Sequence, residues 1–157
     1  MTNNLDRTDL RILALLQRNG RATNSEIAES VNLSPSACLR RIQKLEADGV
    51  IAGYAALVDP QAVGLGLQAF VRVQLEKHGS DAVQHFVDSV QSWSEVIACH
   101  ALTGEMDYLL HIVVSDLEHF SQFLLDRLLN GSGVADVNSS FVLRTVKQTR
   151  ELPIAVS

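Results

Sequence analysis

Residues 32–51 contain two adjacent arginines and a lysine, Arg40, Arg41 and Lys44, in a chain whose formal net charge is −5. At about 100° per residue, a helix over this stretch places Ser36, Arg40 and Lys44 on one side. The apolar residues fall on the opposite side: Cys38, Ile42 and Leu45. Arginine and lysine bind phosphates, and the major groove of duplex DNA admits one α-helix. The stretch therefore predicts a helix that binds double-stranded DNA.

The predicted roles along this helix follow from how helix-turn-helix proteins dock. The N-terminal part of their second helix reaches base edges, whereas residues further along contact the backbone. We therefore expect Ser36, Ala37 and Arg40 to read bases, and Arg41 and Lys44 to hold phosphates. Ser34, the expected N-cap of this helix, is also among the expected DNA-binding residues. The alternative is a surface helix whose cations are merely solvated.

Two preceding helices are expected to position this one. Asp6 is a plausible N-cap for a first helix that the "NGR" at residues 19–21 ends. Thr23 and Glu26 have the spacing of a capping box, which predicts a second helix. Only "NLS" separates it from the third, which begins with Pro35 and stops at Gly49. The sequence predicts a helix-turn-helix motif at about residues 24–43.

The periodicity changes after residue 67. Alternating or apolar runs and helical runs follow in the order strand, helix, strand, strand, helix, strand. This order predicts a ferredoxin-like βαββαβ domain with an antiparallel sheet. The expected fold class is α+β, with a three-helix winged helix-turn-helix domain at residues 1–60, a linker at 61–66 and the second domain at 67–157.

Composition narrows the class of protein. A hydrophobic content of 46% with 20% charged residues indicates a globular domain with a core. The absence of a long apolar run and of a signal-peptide pattern predicts a cytoplasmic protein without a membrane role. Residues 1–60 carry seven cations and seven anions, so the net acidity belongs to the remainder. We expect the two cysteines to be reduced core thiols.

A family resemblance extends over nearly the whole chain. The run "LDRTDLRILALLQRNGRATNSEIAESVNLSPSACLRRIQKLEADGVIAGYAALVDP" and the βαββαβ order after it resemble the Lrp/AsnC (leucine-responsive regulatory protein / asparagine regulator) family of transcription factors. The resemblance implies dimers that assemble further, usually to octamers, and small effectors such as amino acids bound between dimers. It implies no cofactor, no catalytic residue and a role in transcription regulation.

The resemblance also implies an effector site around a hairpin turn, where "TGEMDY" matches the family's pattern of glycine, acid, any residue, aspartate and aromatic. Exposed N–H groups in such a turn can hold a carboxylate, and its acids can meet an ammonium. Met106 favours leucine or methionine as effector. The hydroxyl of Ser139 stands where the family often places an effector contact. The expected effector residues are Thr103, Gly104, Glu105, Met106, Asp107, Tyr108 and Ser139.

The second domain is also expected to dimerise. Every strand after the first is expected to be apolar on both faces, as "DYLLHIVV" is, but two helices can cover only one face of a four-stranded sheet. The other face, with Phe70 as a contributor, therefore predicts a sheet-to-sheet homodimer. A two-fold axis would bring two recognition helices to successive segments of the major groove.

Other classes of function are less well supported by the sequence. The five histidines are not spaced as metal ligands, so no metal site is predicted, and no nucleophile or phosphate-loop motif occurs. Sirohaem-route tetrapyrrole decarboxylases resemble this family, but the cationic third helix argues against such an enzyme. An architectural DNA-binding protein without an effector is a further alternative. The sequence does not identify the effector, the operator, the target genes, the sign of regulation or the oligomer number.

Overall fold

The computed structural model describes residues 5–76, 79–130 and 133–155. The chain divides into two compact units. We call the first the helical unit; its described residues are 5–57 and 147–155. The second, the sheet unit, comprises residues 58–146. The sequence-based boundary at residues 61–66 differs from this division, because residues 58–66 lie in the sheet unit and residues 147–155 lie in the helical unit.

Three helices build the helical unit: α1 (Arg7–Arg18), α2 (Asn24–Val31) and α3 (Pro35–Ala47). Asp6 caps α1 and Thr23 caps α2, each in a reciprocal capping box with the acid three residues later. Between α2 and α3, Asn32 adopts the left-handed conformation (φ 57°) that reverses the chain within three residues. Gly49, at φ 70°, ends the unit's last helix as predicted.

The helical unit has its own hydrophobic core. One face of each helix contributes to it, and the buried residues are Ile12, Leu13, Ile27, Ala28, Val31, Cys38, Ile42 and Leu45. These are the positions that the helical periodicity assigned to the interior. The same stripe that buries α3 leaves its cationic side outside, so packing determines which residues α3 can present to a ligand.

Residues 147–155, which we call the C-terminal strap, dock on α1. The side-chain amide of Gln17 donates to the carbonyl of Leu152 (3.2 Å) and accepts from its N–H (2.6 Å). Arg18 pairs with Glu151 at 2.8 Å, and Ile154 packs against the helical core. The strap is therefore part of the helical unit, although the whole of the sheet unit, residues 58–146, lies between it and residue 57 in the sequence.

The sheet unit contains four strands, β1 (Leu67–Leu75), β2 (Val96–Ala101), β3 (Tyr108–Val114) and β4 (Val134–Phe141), with helices α4 (Ser80–Ser92) and α5 (Leu117–Phe123). A π-helical turn, Leu124–Leu128, extends α5, and a 3₁₀ turn, Gln61–Val63, precedes β1. The strand order is β2-β3-β1-β4, and every neighbouring pair is antiparallel. This arrangement confirms the predicted α+β, ferredoxin-like fold class.

The core of the sheet unit lies between the sheet and its helices. Alternate residues of β1 point into it, and Phe86 on α4 and Phe120 on α5 cover them. Phe86 contacts Trp93 and Tyr108 with ring centroids 6.4 and 4.8 Å apart. Because this face is filled within one chain, only the opposite face of the sheet remains for a partner.

That opposite face is less apolar than the sequence suggested. The strand register places Phe70 and His111 beside each other there, stacked with centroids 4.5 Å apart. On β4, however, the outward residues are Asp136, Asn138 and Ser140, each paired with a β1 position on the same side. The expectation of two apolar faces was wrong for β4, whose alternation is the ordinary pattern of a strand with one solvated face.

A buried carboxylate ties α5 to the start of β2. Glu95 is 8% exposed, and both its oxygens accept from Arg127, at 3.0 and 2.8 Å. His119 lies 3.3 Å from the same carboxylate. Desolvation raises the pKa of Glu95, but hydrogen bonds from its own backbone and His119, together with the charge of Arg127, outweigh this effect and leave the pKa lowered.

Three smaller observations complete the fold. Cys38 is buried as expected, whereas Cys99 is exposed on β2, so the expectation of two core thiols was wrong for Cys99. Among the described residues, no helix is long and apolar enough to cross a membrane. His78, one of the five histidines, lies outside the described residues.

We predict that Glu95→Gln destabilises the sheet unit by about 2 kcal/mol, because it removes a charge-assisted pair from a buried site. A carboxyl group with a lowered folded pKa stabilises the fold above its unfolded pKa and loses this contribution as the pH falls through the folded pKa. The difference in unfolding free energy between wild type and Glu95→Gln should therefore be large at neutral pH and shrink in acid.

Urea unfolding at several pH values measures this difference. Glu118→Gln is the matched control, since Glu118 is an exposed glutamate on α5, and we expect it to change stability by less than about 0.5 kcal/mol. Equal effects of the two substitutions, or an effect of Glu95→Gln independent of pH, would contradict the role assigned to Glu95.

Candidate functional site

The outward side of α3 carries several of the side chains that were predicted to contact DNA. Ser36, Arg40 and Lys44 are exposed, as predicted, whereas Ala37 is half-buried. The Arg40 side chain makes no hydrogen bond or ion pair with any described residue, so its guanidinium is available to a ligand. An exposed guanidinium without an internal partner is suited to bidentate contacts with guanine or phosphate.

The start of α3 is held firmly. The Ser34 hydroxyl accepts the N–H of Ala37 (3.3 Å) and lies 3.3 Å from the Ser36 hydroxyl. The Asn24 side chain donates to the carbonyl of Pro35 (2.8 Å), which links the first turn of α2 to the first turn of α3. Ser34 and Ala37 therefore form the N-terminal cap itself, and their backbone positions Ser36.

The Arg41 side chain forms ion pairs within its own chain. Its Nη1 donates to Asp6 and to Asp9, each at 2.7 Å, and the two acids lie at the start of α1. These bonds, the one to Asp9 first, raise the pKa of Arg41. The pKa of Asp6 is lowered, first by the backbone N–H of Asp9 and then by Arg41. The prediction that Arg41 holds a phosphate has to account for this double pair, which fastens α3 to α1.

Two residues that the sequence analysis did not single out share the outward side of α3. Gln43 is exposed three residues after Arg40 and seven after Ser36, and Leu39 is 45% exposed. Glutamine side chains can bind adenine through two hydrogen bonds, and apolar groups contact the methyl group of thymine. The helical spacing from Ser36 and Arg40 was the available signal for Gln43. Lys44 pairs with Asp48 at 2.7 Å, and that exposed pair leaves it able to exchange partners.

The hairpin between β2 and β3 brings together the first four predicted effector residues. Leu102 N–H donates to the carbonyl of Asp107 (2.8 Å) and closes a loop of Thr103, Gly104, Glu105 and Met106. Gly104 has φ 117°, a conformation that favours glycine. None of these four backbone N–H groups donates to a described residue, so the loop exposes several donors close together. Such a loop can hold an anion.

Asp107 and Tyr108 have structural partners within the sheet unit. The Asp107 carboxylate accepts the N–H of Leu75 (2.8 Å), and its own N–H donates to the carbonyl of Val73 (2.9 Å). Tyr108 is half-buried against Phe86 on the helix side of the sheet. Both residues therefore fix the hairpin on β1, and Glu105 is the acid of this turn with an exposed side chain and no described partner.

Ser139 lies on β4, not at its start but near its end, and pairs with Val71 of β1. Since β1 separates β4 from β3, Ser139 is two strand spacings, or about 10 Å, from the strand that carries the turn. Within one chain the structure does not bring Ser139 and the loop 103–106 together.

Neither a metal site nor an activated nucleophile is evident in the described ranges. They contain no group of three or more histidine, cysteine, aspartate and glutamate side chains that could hold a metal ion. The Ser115 hydroxyl does lie 3.3 Å from Nδ1 of His119, and Nε2 of the same ring lies 3.3 Å from the Glu95 carboxylate. The Ser115 hydroxyl, however, donates to Asp116 (2.9 Å), and Arg127 occupies both oxygens of Glu95. This arrangement does not activate the serine for attack.

Two family models match separate parts of the chain. Residues 5–52 match the model described as winged helix-turn-helix DNA-binding. Residues 68–152 match the Lrp/AsnC ligand binding domain. The first range contains the outward side of α3, and the second contains the loop 103–106.

Named relatives match over almost their whole length. The chain is 40% identical to the DNA-binding transcriptional activator DecR of Escherichia coli K12, over 96% of this chain and 99% of that protein. It is 39% identical to the leucine-responsive regulatory protein of the same strain, over 96% and 92% of the two chains.

Solved structures also match this chain over almost their whole length. A transcriptional regulator of Neisseria meningitidis, crystallised as a complex with L-methionine, is 53% identical with a TM-score of 0.91, over 96% of this chain and 97% of that one. An AsnC family transcriptional regulator of Agrobacterium tumefaciens is 36% identical with a TM-score of 0.90, over 95% and 97%.

We predict that Arg41→Ala destabilises the helical unit by about 1–2 kcal/mol, because it removes two charge-assisted bonds from a partly exposed site. Thermal or urea unfolding followed by circular dichroism measures the change. Arg21→Ala, which removes an exposed arginine without a described partner, is the matched control and should be neutral within about 0.5 kcal/mol. A neutral Arg41→Ala would show that the pair with Asp6 and Asp9 does not hold α3 in place.

Proposed function

This chain belongs to the Lrp/AsnC family and is a DNA-binding transcriptional regulator with an amino-acid-binding domain, and we propose that α3 reads its operator and that methionine is its effector. The observation that carries the DNA assignment is the outward side of α3, where Arg40 has no internal partner. The observation that carries the choice of effector is the L-methionine complex of the 53% identical regulator.

For DNA binding, we assign base contacts to Ser36, Arg40 and Gln43. These residues lie on one side of α3, and the cap formed by Ser34 and the bond from Asn24 fix the start of the helix. Lys44 is assigned to a phosphate, for which its exposed pair with Asp48 can be exchanged. Arg41 is assigned to positioning α3 and not to phosphate binding, because both its acid partners are within 2.7 Å.

For effector binding, the loop 103–106 supplies both ends of an amino-acid site. Its unpaired backbone N–H groups suit a carboxylate, and the exposed Glu105 suits an ammonium. Met106 is half-buried at the edge of the loop and can contact an apolar side chain such as that of methionine. Asp107 and Tyr108 act by holding the loop on β1.

We also propose that the sheet unit forms a homodimer through its outward face, and that dimers assemble to octamers. The face carries Phe70, His111 and the exposed Ile97 on the side of β2 and β3. The polar β4 then lies at the rim of such an interface, as polar residues commonly do. Because Ser139 is about 10 Å from the loop-bearing strand within one chain, a role for it in effector binding calls for a second copy.

The alternatives are not favoured by the comparisons. DecR and the leucine-responsive regulatory protein are named as regulators, and a tetrapyrrole decarboxylase would have no need of the cationic α3. A purely architectural protein would have no need of an amino-acid-binding domain.

We predict that Arg40→Ala weakens DNA binding and lowers the slope of log K against log salt concentration by about 0.9 if Arg40 neutralises one phosphate. If Arg40 contacts a base instead, Arg40→Ala should leave the slope unchanged and reduce the preference for the specific sequence. The binding free energy lost for that sequence should then be about 1–3 kcal/mol. Fluorescence anisotropy at several salt concentrations separates the two outcomes. Arg144→Ala, in the sheet unit, is the charge-matched control; unchanged binding by Arg40→Ala would remove α3 from the interface.

We predict that L-methionine binds the wild-type protein and that Glu105→Gln weakens this binding about tenfold, because the substitution removes the carboxylate proposed to meet the ammonium. Isothermal titration calorimetry measures both affinities. Glu118→Gln serves as the control. No binding of methionine, with binding of another amino acid, would change the effector; equal affinity in wild type and Glu105→Gln would remove Glu105 from the site.

A further inference from the structure

The C-terminal strap and the recognition helix contact opposite ends of α1. At its C-terminal end, Gln17 and Arg18 bind Leu152 and Glu151 of the strap. At its N-terminal end, Asp6 and Asp9 bind Arg41 of α3. A helix of 12 residues is a rod about 18 Å long, so a shift imposed at one end is carried to the other.

The strap is also closely connected to the sheet unit through the chain itself. The N–H of Val142 donates to the carbonyl of Gln68 (2.9 Å), which extends the β1–β4 pairing by one residue beyond β4. Only residues 143–146 separate this bond from the strap. Four residues span at most about 14 Å, so the segment that joins β4 to the strap is short.

The contacts that hold the strap on α1 are separate and exchangeable. The pair of hydrogen bonds between Gln17 and Leu152 and the ion pair between Arg18 and Glu151 are all exposed. A cavity of about 480 Å³ remains between the strap and α1, and Gln17, Arg18, Glu151 and Leu152 are among the residues that line it. Exposed polar contacts of this kind exchange readily with water, so the strap can shift on α1 while Ile154 keeps its packing against the helical core.

We propose that the C-terminal strap transmits the state of the effector-binding unit to the recognition helix, through β4, Gln17, the rod of α1 and Arg41. Gln17 is the positioning residue of this route, since its amide pairs with both backbone polar groups of Leu152. Effector binding that displaces the end of β4 changes the position of the strap on α1. The hydrogen bonds of Arg41 then carry the resulting shift of α1 to α3. This inference rests on the proposed function, because it requires an effector that acts on DNA affinity.

The test compares Gln17→Ala with wild type in the full chain. L-Methionine is titrated by calorimetry, and DNA affinity for the duplex that the wild type selects from genomic fragments is measured with and without methionine. We expect methionine to change the affinity of the wild type about fivefold or more, and that of Gln17→Ala less than about twofold, with methionine binding itself retained. Gln91→Ala on α4 is the glutamine control and should behave as the wild type.

A methionine effect on DNA affinity as large in Gln17→Ala as in the wild type overturns the proposal. Glu151→Gln, which removes the ion pair but keeps the Gln17 bonds, should reduce the effect partially, and it replaces Gln17→Ala should that variant unfold. Circular dichroism checks the fold of each variant.

Hydrogen exchange of the free protein separates failure of the route from failure of the proposed effector. Gln17→Ala should accelerate exchange in the strap and in α3 around Arg41 in the absence of any ligand. Acceleration confined to the strap overturns the transmission through α1, whichever amino acid the protein binds. Absence of methionine binding by the wild type, with accelerated exchange in α3, contradicts the choice of effector and supports the route.

Discussion

The paired hydrogen bonds from Arg41 to Asp6 and Asp9 determine what the helical unit can present to DNA. They join the first turn of α1 to the middle of α3, and the apolar stripe of Cys38, Ile42 and Leu45 fixes the rotation of α3 about its axis. With rotation and tilt both constrained, Ser36, Arg40 and Gln43 face outward without a conformational search on binding. Preorganisation of this kind lowers the entropic cost of recognition.

Internal ion pairs also determine which charges of α3 are available to DNA. Two of the three cations of α3 already have acidic partners: Arg41 pairs with Asp6 and Asp9, and Lys44 pairs with Asp48. The Arg40 side chain has no acidic partner among the described residues. A segment with equal numbers of cations and anions, such as residues 1–60, can therefore bind a polyanion, since the local distribution of unpaired charge decides the interaction.

Much of the local structure was predictable from sequence, and the exceptions have a common cause. The capping boxes at Asp6 and Thr23, Pro35 at the start of α3 and Gly49 at its end depend on residues at most four positions apart. The partners of Arg41 lie 32 and 35 positions away, and those of Gln17 lie 135 positions away. No local pattern encodes such contacts, so the role of Arg41 and the docking of the strap emerged only from the folded chain. The site at residues 103–108 was found by its motif, but which of its acids is exposed depends on the hydrogen bond that the Asp107 carboxylate accepts from the N–H of Leu75.

We propose that DNA binding by α3 responds to an amino acid bound in the sheet unit. The direct measurement is a titration of genomic DNA fragments, including the upstream region of the protein's own gene, at several salt concentrations, with and without each of the twenty amino acids. We expect an affinity for DNA that falls steeply with salt concentration and that methionine changes, whereas most other amino acids leave it unchanged. Tight binding indifferent to all twenty would contradict the sensing role, and no binding to any fragment would contradict the assignment of α3.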